Sequence, residues 1–144
     1  MKRNSGESRV ISVYQGVGDS LYIHLKTPGM LRTLVKKERM TTTCGVKLSG
    51  TLGQDDYDAM KYSMTKLTSI DMKEVEDTSI PARAFHGKSA FRYIVLPSRL
   101  EEIGDNAFYD CGFKGELKLP GSVTKIGYAA FQSCNNFTRT LELP

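Results

Sequence analysis

The 144-residue chain contains no tryptophan, two histidines, three cysteines and five prolines. So few cysteines exclude a disulfide scaffold, and Cys44, Cys111 and Cys134 lack the C-x-x-C spacing of a zinc site. Long hydrophobic runs are also missing. Apolar stretches such as Tyr93-Ile94-Val95-Leu96 span a few residues, whereas a membrane-spanning helix needs about 20. The charged start Met1-Lys2-Arg3 is followed by no apolar core, so no signal peptide is expected in this chain. It is therefore expected either to be intracellular or to be a mature form. Phosphate-loop, dinucleotide-loop and nucleophile-elbow motifs are absent as well. With 40% hydrophobic and 25% charged residues, the composition is that of an ordinary globular domain, which excludes a disordered chain.

Charge is uneven. Residues 1–45 hold eight Lys/Arg against three Asp/Glu, a balance of 8 − 3 = +5, while 46–144 hold twelve against thirteen, or −1. The basic excess is concentrated in Arg32, Lys36, Lys37 and Arg39. Without the interleaved aromatics of a nucleic-acid stripe, these residues read as the solvated face of a helix, and no nucleic acid is expected as partner.

What the chain does have is a period. Ala84-Phe85, Ala107-Phe108 and Ala130-Phe131 recur at steps of 23, and Ile103-Gly104 recurs as Ile126-Gly127 at the same step. Leu96-Pro97 returns as Leu119-Pro120 and Leu143-Pro144, and Cys111 returns as Cys134. Apolar-x-apolar triplets begin at Val46, Ile70, Ile94, Leu117 and Leu141, with steps of 24, 24, 23 and 24. Leu21-Tyr22-Ile23 is a weaker precursor, 25 residues before Val46. A further apolar residue precedes the triplets at 70, 94, 117 and 141: Leu67, Phe91, Phe113 and Phe137.

Each landmark has a physical role. Alternation in a triplet turns two side chains inward and one outward. Pro97 and Pro120 lack an N–H and end the pairing. Ile103-Gly104 and Ile126-Gly127 supply a second inward anchor, with glycine permitting a corner. The Ala-Phe pair fits a short helical turn that lays a ring across the interior. Phe85, Phe108 and Phe131 would then form a stacked spine, with Cys111 and Cys134 as inert structural thiols beside it. A period of 23–24 falls among leucine-rich repeats and excludes all-helical repeats, which need about 33 residues or more. The expected fold is an α/β leucine-rich repeat solenoid with one strand and one short helical turn per repeat. It forms a single domain over 1–144. Repeats start at 46, 70, 94 and 117 with a partial one at 141, after an irregular N-terminal cap or degenerate repeat over 1–45.

The units Ile94-Val-Leu-Pro-Ser-Arg-Leu-Glu-Glu-Ile-Gly-Asp-Asn-Ala-Phe-Tyr-Asp-Cys and Leu117-Lys-Leu-Pro-Gly-Ser-Val-Thr-Lys-Ile-Gly-Tyr-Ala-Ala-Phe-Gln-Ser-Cys resemble the BspA-like leucine-rich repeats of bacterial cell-surface proteins. The match is specific over 94–144 and degraded over 46–93, where Met64 and Lys88 stand at the cysteine position and Ile80-Pro81 replaces Ile-Gly. The resemblance implies an extracellular or cell-surface adhesion or interaction protein, and it brings no catalytic residues.

In the amino-terminal third, Val10-Ile-Ser-Val and Leu21-Tyr-Ile-His-Leu read as strands. Gly29–Met40 reads as a helix with Met30, Leu31, Leu34 and Val35 inward. Further on, Asp55 or Asp56 is the expected N-cap of a helix that buries Tyr57, Met60 and Met64. Asp55, Asp56 and Asp58 lack the spacing of a calcium loop, so no metal is expected. His24 and His86 are 62 residues apart, and Glu101-Glu102 face opposite ways in an extended segment, so neither set makes a catalytic pair. No cofactor is expected.

What remains is surface. The outward triplet positions Lys47, Asp71, Val95, Lys118 and Glu142, with Tyr93 beside them, form a candidate ligand strip of mixed charge with an apolar centre. The expected function is a non-enzymatic module binding a protein or a glycan. The alternative is a structural spacer within a larger repeat protein. Leu141-Glu142-Leu143-Pro144 begins a further repeat, which predicts either self-association through the open carboxyl-terminal coil or a native protein that continues.

Overall fold

The computed structural model describes residues 9–14 and 19–136, with side chains from 20 to 136. Strand β1 (Arg9–Tyr14) pairs antiparallel with β2 (Asp19–Leu25). From β2 onward the pairing is parallel, through β3 (Thr43–Gly50), β4 (Ser69–Val75) and β6 (Tyr93–Val95), giving the sheet order β1-β2-β3-β4-β6. The register sets Leu21, Val46, Ile70 and Ile94 side by side, one from each step of the repeat. The weak precursor at Leu21 is thus the first parallel neighbour of Val46.

A second parallel ladder joins β5 (Ser79–Ile80), β7 (Glu102–Ile103) and β8 (Lys125–Ile126). Ile80 and Ile103 are buried in it. Glycine after the second anchor serves a different purpose from the expected corner. A Cβ at Gly127 would come within 2.5 Å of the Asp105 backbone nitrogen, and one at Gly104 would collide with the backbone of Ala82. Adjacent coils touch main chain to main chain there, which only glycine allows.

The Ala-Phe segments are not helical turns. Alternate N–H groups of Arg83, Phe85 and Gly87 donate to carbonyls of Asp105, Ala107 and Tyr109 in the next coil at 2.8–2.9 Å. The same pattern repeats from Asn106, Phe108 and Asp110 to Tyr128, Ala130 and Gln132. Between these bonds the chain closes four-residue turns, such as Ala84 N–H to Pro81 C=O and His86 N–H to Arg83 C=O. Arg83, Asn106, Asp110, Ala129 and Ser133 have φ of 52–63°, which interrupts any α-helix and turns successive N–H groups alternately along and across the stack. Sequence periodicity cannot distinguish this path from a helical turn, because both place Ala and Phe inward.

The inward faces meet in one core. Phe85 and Phe108 stack with centroids 5.6 Å apart at 16°, and Phe108 and Phe131 at 5.2 Å and 10°. Phe91 and Phe113, buried before their triplets, pack against this column. Leu117-Lys118-Leu119 is not a strand; isolated bridges stand at Gly115 and Lys118, and among the described residues the main sheet ends at β6.

The reading of Gly29–Met40 as one helix is corrected to two single turns, α1 (Leu31–Leu34) and α2 (Lys37–Met40). Val35 and Lys36 are extended between them, with ψ of 117° and 145°. This lets Leu31, Val35 and Met40 all reach the core. Helix α3 (Gln54–Asp58) has Gly53 as its N-cap, not Asp55 or Asp56, and runs on into a π-helical turn, Ala59–Ser63. Asp56 sits at the third helical position, and its buried carboxylate accepts the N–H groups of Gly53 (2.9 Å), Gly29 (2.6 Å) and Leu31 (2.8 Å). One side chain thereby caps its own helix and ties the loop before α1 to it. Glu142, Phe137 and the partial repeat at 141 lie outside the described residues.

Candidate functional site

On the outward face of the main sheet the register produces three rows. Ser20, Gly45, Ser69 and Tyr93 form one; Tyr22, Lys47, Asp71 and Val95 the next; His24, Ser49 and Glu74 the third. A shift in register within β4 sets Ser49 opposite Glu74 rather than Lys73. The first two rows bound a groove of about 260 Å³. Lys47, Asp71, Tyr93 and Val95 of the candidate strip all line it. Lys118 is exposed but lies outside this lining, beyond the last strand.

The floor is low because Gly45 stands between two serines. A Cβ there would come within 2.9 Å of the hydroxyls of both Ser20 and Ser69. Tyr93 and Val95 rise at one end, 64% and 46% exposed, so the last paired strand presents the groove's free apolar surface. At the other end the Lys47 ammonium lies over the Tyr22 ring, 5.2 Å from its centroid. The Tyr22 hydroxyl donates to Glu74 at 3.2 Å. The Asp71 carboxylate accepts the Lys73 N–H at 2.9 Å, which fixes it on the sheet surface. The groove thus offers a cation, an anion, hydroxyls and one apolar end. Tyr22 was missed in the sequence, although it is the central residue of the Leu21-Tyr22-Ile23 triplet and occupies the same register position as Lys47.

The third row contains Ser, His and Glu, the residue types of a nucleophilic triad, but in the wrong order. His24 Nδ1 pairs with Ser49 Oγ at 2.9 Å, and Ser49 lies between the histidine and Glu74. Triad chemistry needs the histidine in the middle, with the acid on its far nitrogen. Here Glu74 accepts from Tyr22 instead. His86 stacks on Tyr109 at 4.9 Å. Glu102 pairs with Lys125 at 3.9 Å across the second ladder. Among the described residues no three His, Cys, Asp or Glu side chains gather as a metal site requires. No helix among them is long and apolar enough to cross a membrane.

The thiols are structural in their contacts. Cys111 Sγ donates to Phe85 C=O at 3.1 Å and Cys134 Sγ to Phe108 C=O at 3.0 Å, each reaching back to the preceding coil. Burial pushes the Cys111 thiol up to about 12, with neighbouring Cys134 adding to the shift, and burial raises Cys134 too. Lys88, at the same register position one coil earlier, donates to Met64 C=O at 3.1 Å and Lys61 C=O at 3.3 Å. Its ammonium lies 5.5 Å from the Phe91 ring centroid, and partial burial lowers its pKa.

The architecture is that of an α/β repeat protein, with equivalent residues of successive 23–24-residue units aligned in parallel ladders. The family model for the BspA type leucine-rich repeat region (six copies) matches residues 51–142. The chain belongs to that family. No curated protein matches it.

Proposed function

We propose that the chain is a non-enzymatic interaction module, a repeat solenoid whose sheet groove binds a protein partner at a bacterial surface. Family membership supports the interaction role in general terms. The observation that carries the specific reading is the exposed pair Tyr93 and Val95 at the open end of a groove also lined by Lys47 and Asp71. Aromatic anchors dominate binding energy at protein interfaces, while flanking charges act mainly on rate and orientation. The surface setting rests on the family alone. The test is capture of partners from host extracellular matrix and on a glycan array, followed by titration of Tyr93→Ala. A captured partner should bind the variant about 1–3 kcal/mol more weakly. Unchanged affinity would remove the groove as the site.

A further inference from the structure

A second cavity, sharing no residue with the sheet groove, lies between α1, α2 and the end of the π-helical turn, with a volume of about 420 Å³. Its floor is apolar, from Val35 and Met40, and its wall is the Tyr62 ring, 65% exposed. Its rim is cationic. Arg32 and Lys37 line it, and the Arg32 guanidinium donates to the Ser63 hydroxyl on the opposite side. Lys61, outside the lining, lies 4.9 Å from the Tyr62 centroid and donates to the Arg83 carbonyl at 3.0 Å. Among the described residues no carboxylate lines the cavity; Glu38, on α2 beside Lys37, is exposed but not part of the lining.

We propose that this cavity binds an acidic peptide segment of a partner protein, seating one apolar side chain against Tyr62 with carboxylates on either side of it. The charge is complementary: Arg32 and Lys37 line the cavity, with no acid among its described lining residues. The apolar floor decides between occupants. A nucleic acid or sulfated glycan would satisfy the rim but gain nothing from Val35, Met40 and the ring edge. One face of Tyr62 is already covered by Lys61. An apolar side chain flanked by acids uses both halves of the cavity, and its size suits one large side chain. The sequence pointed to this basic segment only as a solvated face, because Tyr62 reaches it from a different element.

The test is a nitrogen-15 NMR titration of the whole chain with a synthetic peptide of one phenylalanine flanked by two glutamates on each side. A serine-for-phenylalanine version, a heparin tetrasaccharide and a single-stranded oligonucleotide serve as competitors. The phenylalanine peptide should shift amides of residues 31–41 and 62–65. Tyr62→Ala should weaken it roughly tenfold. Arg32→Gln with Lys37→Gln should weaken it about fivefold and flatten its salt dependence. Tyr62→Phe should bind as the parent does, which separates loss of the ring from any loss of fold in the alanine variant. Equal binding of the serine peptide, tighter binding of either polyanion with indifference to Tyr62→Ala, or no shifts at millimolar peptide would each overturn the proposal. Sheet-groove variants such as Tyr93→Ala should leave this titration unchanged, so its outcome is independent of the groove's.

Discussion

Replacing Phe108 with alanine tests the repeat stack most directly. The ring is fully buried and has three aromatic neighbours: Phe85 at 5.6 Å, Phe131 at 5.2 Å and Phe113 edge-on at 5.6 Å. Burial of a phenylalanine is worth about 3–5 kcal/mol against alanine in a core, the spread reflecting how far the site collapses. Collapse is hindered here from two sides. The main chains of the three coils are tied to each other by Phe85 N–H to Ala107 C=O and Phe108 N–H to Ala130 C=O, both 2.8 Å. Those ladders hold the coils at their spacing, so the neighbouring rings cannot move together to fill the gap. The expected loss is therefore at the upper end, roughly 4–5 kcal/mol.

Phe131 provides the internal control. It is only partly buried and has Phe108 as its ring partner among the described residues, so Phe131→Ala should cost about 1–2 kcal/mol. Urea titrations of the parent and both variants, followed by circular dichroism, give the comparison with unchanged m-values as the check on two-state behaviour. At this size, about 4 kcal/mol lowers the melting temperature by roughly 8–16 °C. A Phe108→Ala loss below about 1 kcal/mol, or one smaller than that of Phe131→Ala, would refute a stack held at fixed spacing by its backbone ladders.

Asp56→Ala removes the one acceptor shared by the N–H groups of Gly29, Leu31 and Gly53. It should cost about 3–5 kcal/mol by urea titration, and a loss below about 1 kcal/mol would mean water replaces the carboxylate. Cys111, whose folded thiol is raised to about 12, contributes stability that is fully present below the ordinary thiol range. That stability is lost as pH rises from about 9 towards 12, because the unfolded chain ionises first. Cys111→Ala should flatten this part of the stability profile, and an unchanged profile would contradict the burial. With a thiol reagent at pH 8, half-buried Cys44 should react before Cys111, which should wait for opening of the structure.

The parallel sheet was legible because its period is carried by side chains that must point inward: Val46, Ile70 and Ile94 align in the ladder as their spacing demands. The Ala-Phe segments were legible in position but not in path. Positive φ at Arg83 and Ala129 leaves no residue signature, and the Asn106 and Asp110 types that favour it are common in ordinary loops too. The break at Val35-Lys36 was hidden because Leu31, Leu34 and Val35 fit one helical face as well as they fit two separate turns. In the groove, Lys47, Asp71, Tyr93 and Val95 followed from alternation alone. Its floor did not, because a low floor is a property of Gly45 lying between Ser20 and Ser69, a relation across three strands. The second cavity depends on Tyr62 meeting Arg32 and Lys37, 30 and 25 residues earlier, and none of the three is a landmark of the repeat.

Lys88 shows what the cysteine position is for. Cys111 and Cys134 each donate a thiol proton to a carbonyl 26 residues earlier. Lys88 stands where the repeat would place a thiol, and its ammonium donates to carbonyls 24 and 27 residues earlier, at the end of the π-helical turn. Those carbonyls lie at a helical carboxyl end, where a cation is favoured over a neutral donor. The position therefore requires a donor that reaches the preceding coil, and the chemistry of that donor follows the structure it caps. Lys88→Met keeps the apolar stem but removes the donor. It should destabilise by about 1–2 kcal/mol, and Lys88→Arg, which retains charge and donors, should recover most of that loss. Equal stability of the methionine variant and the parent would show instead that the position is filled for bulk alone.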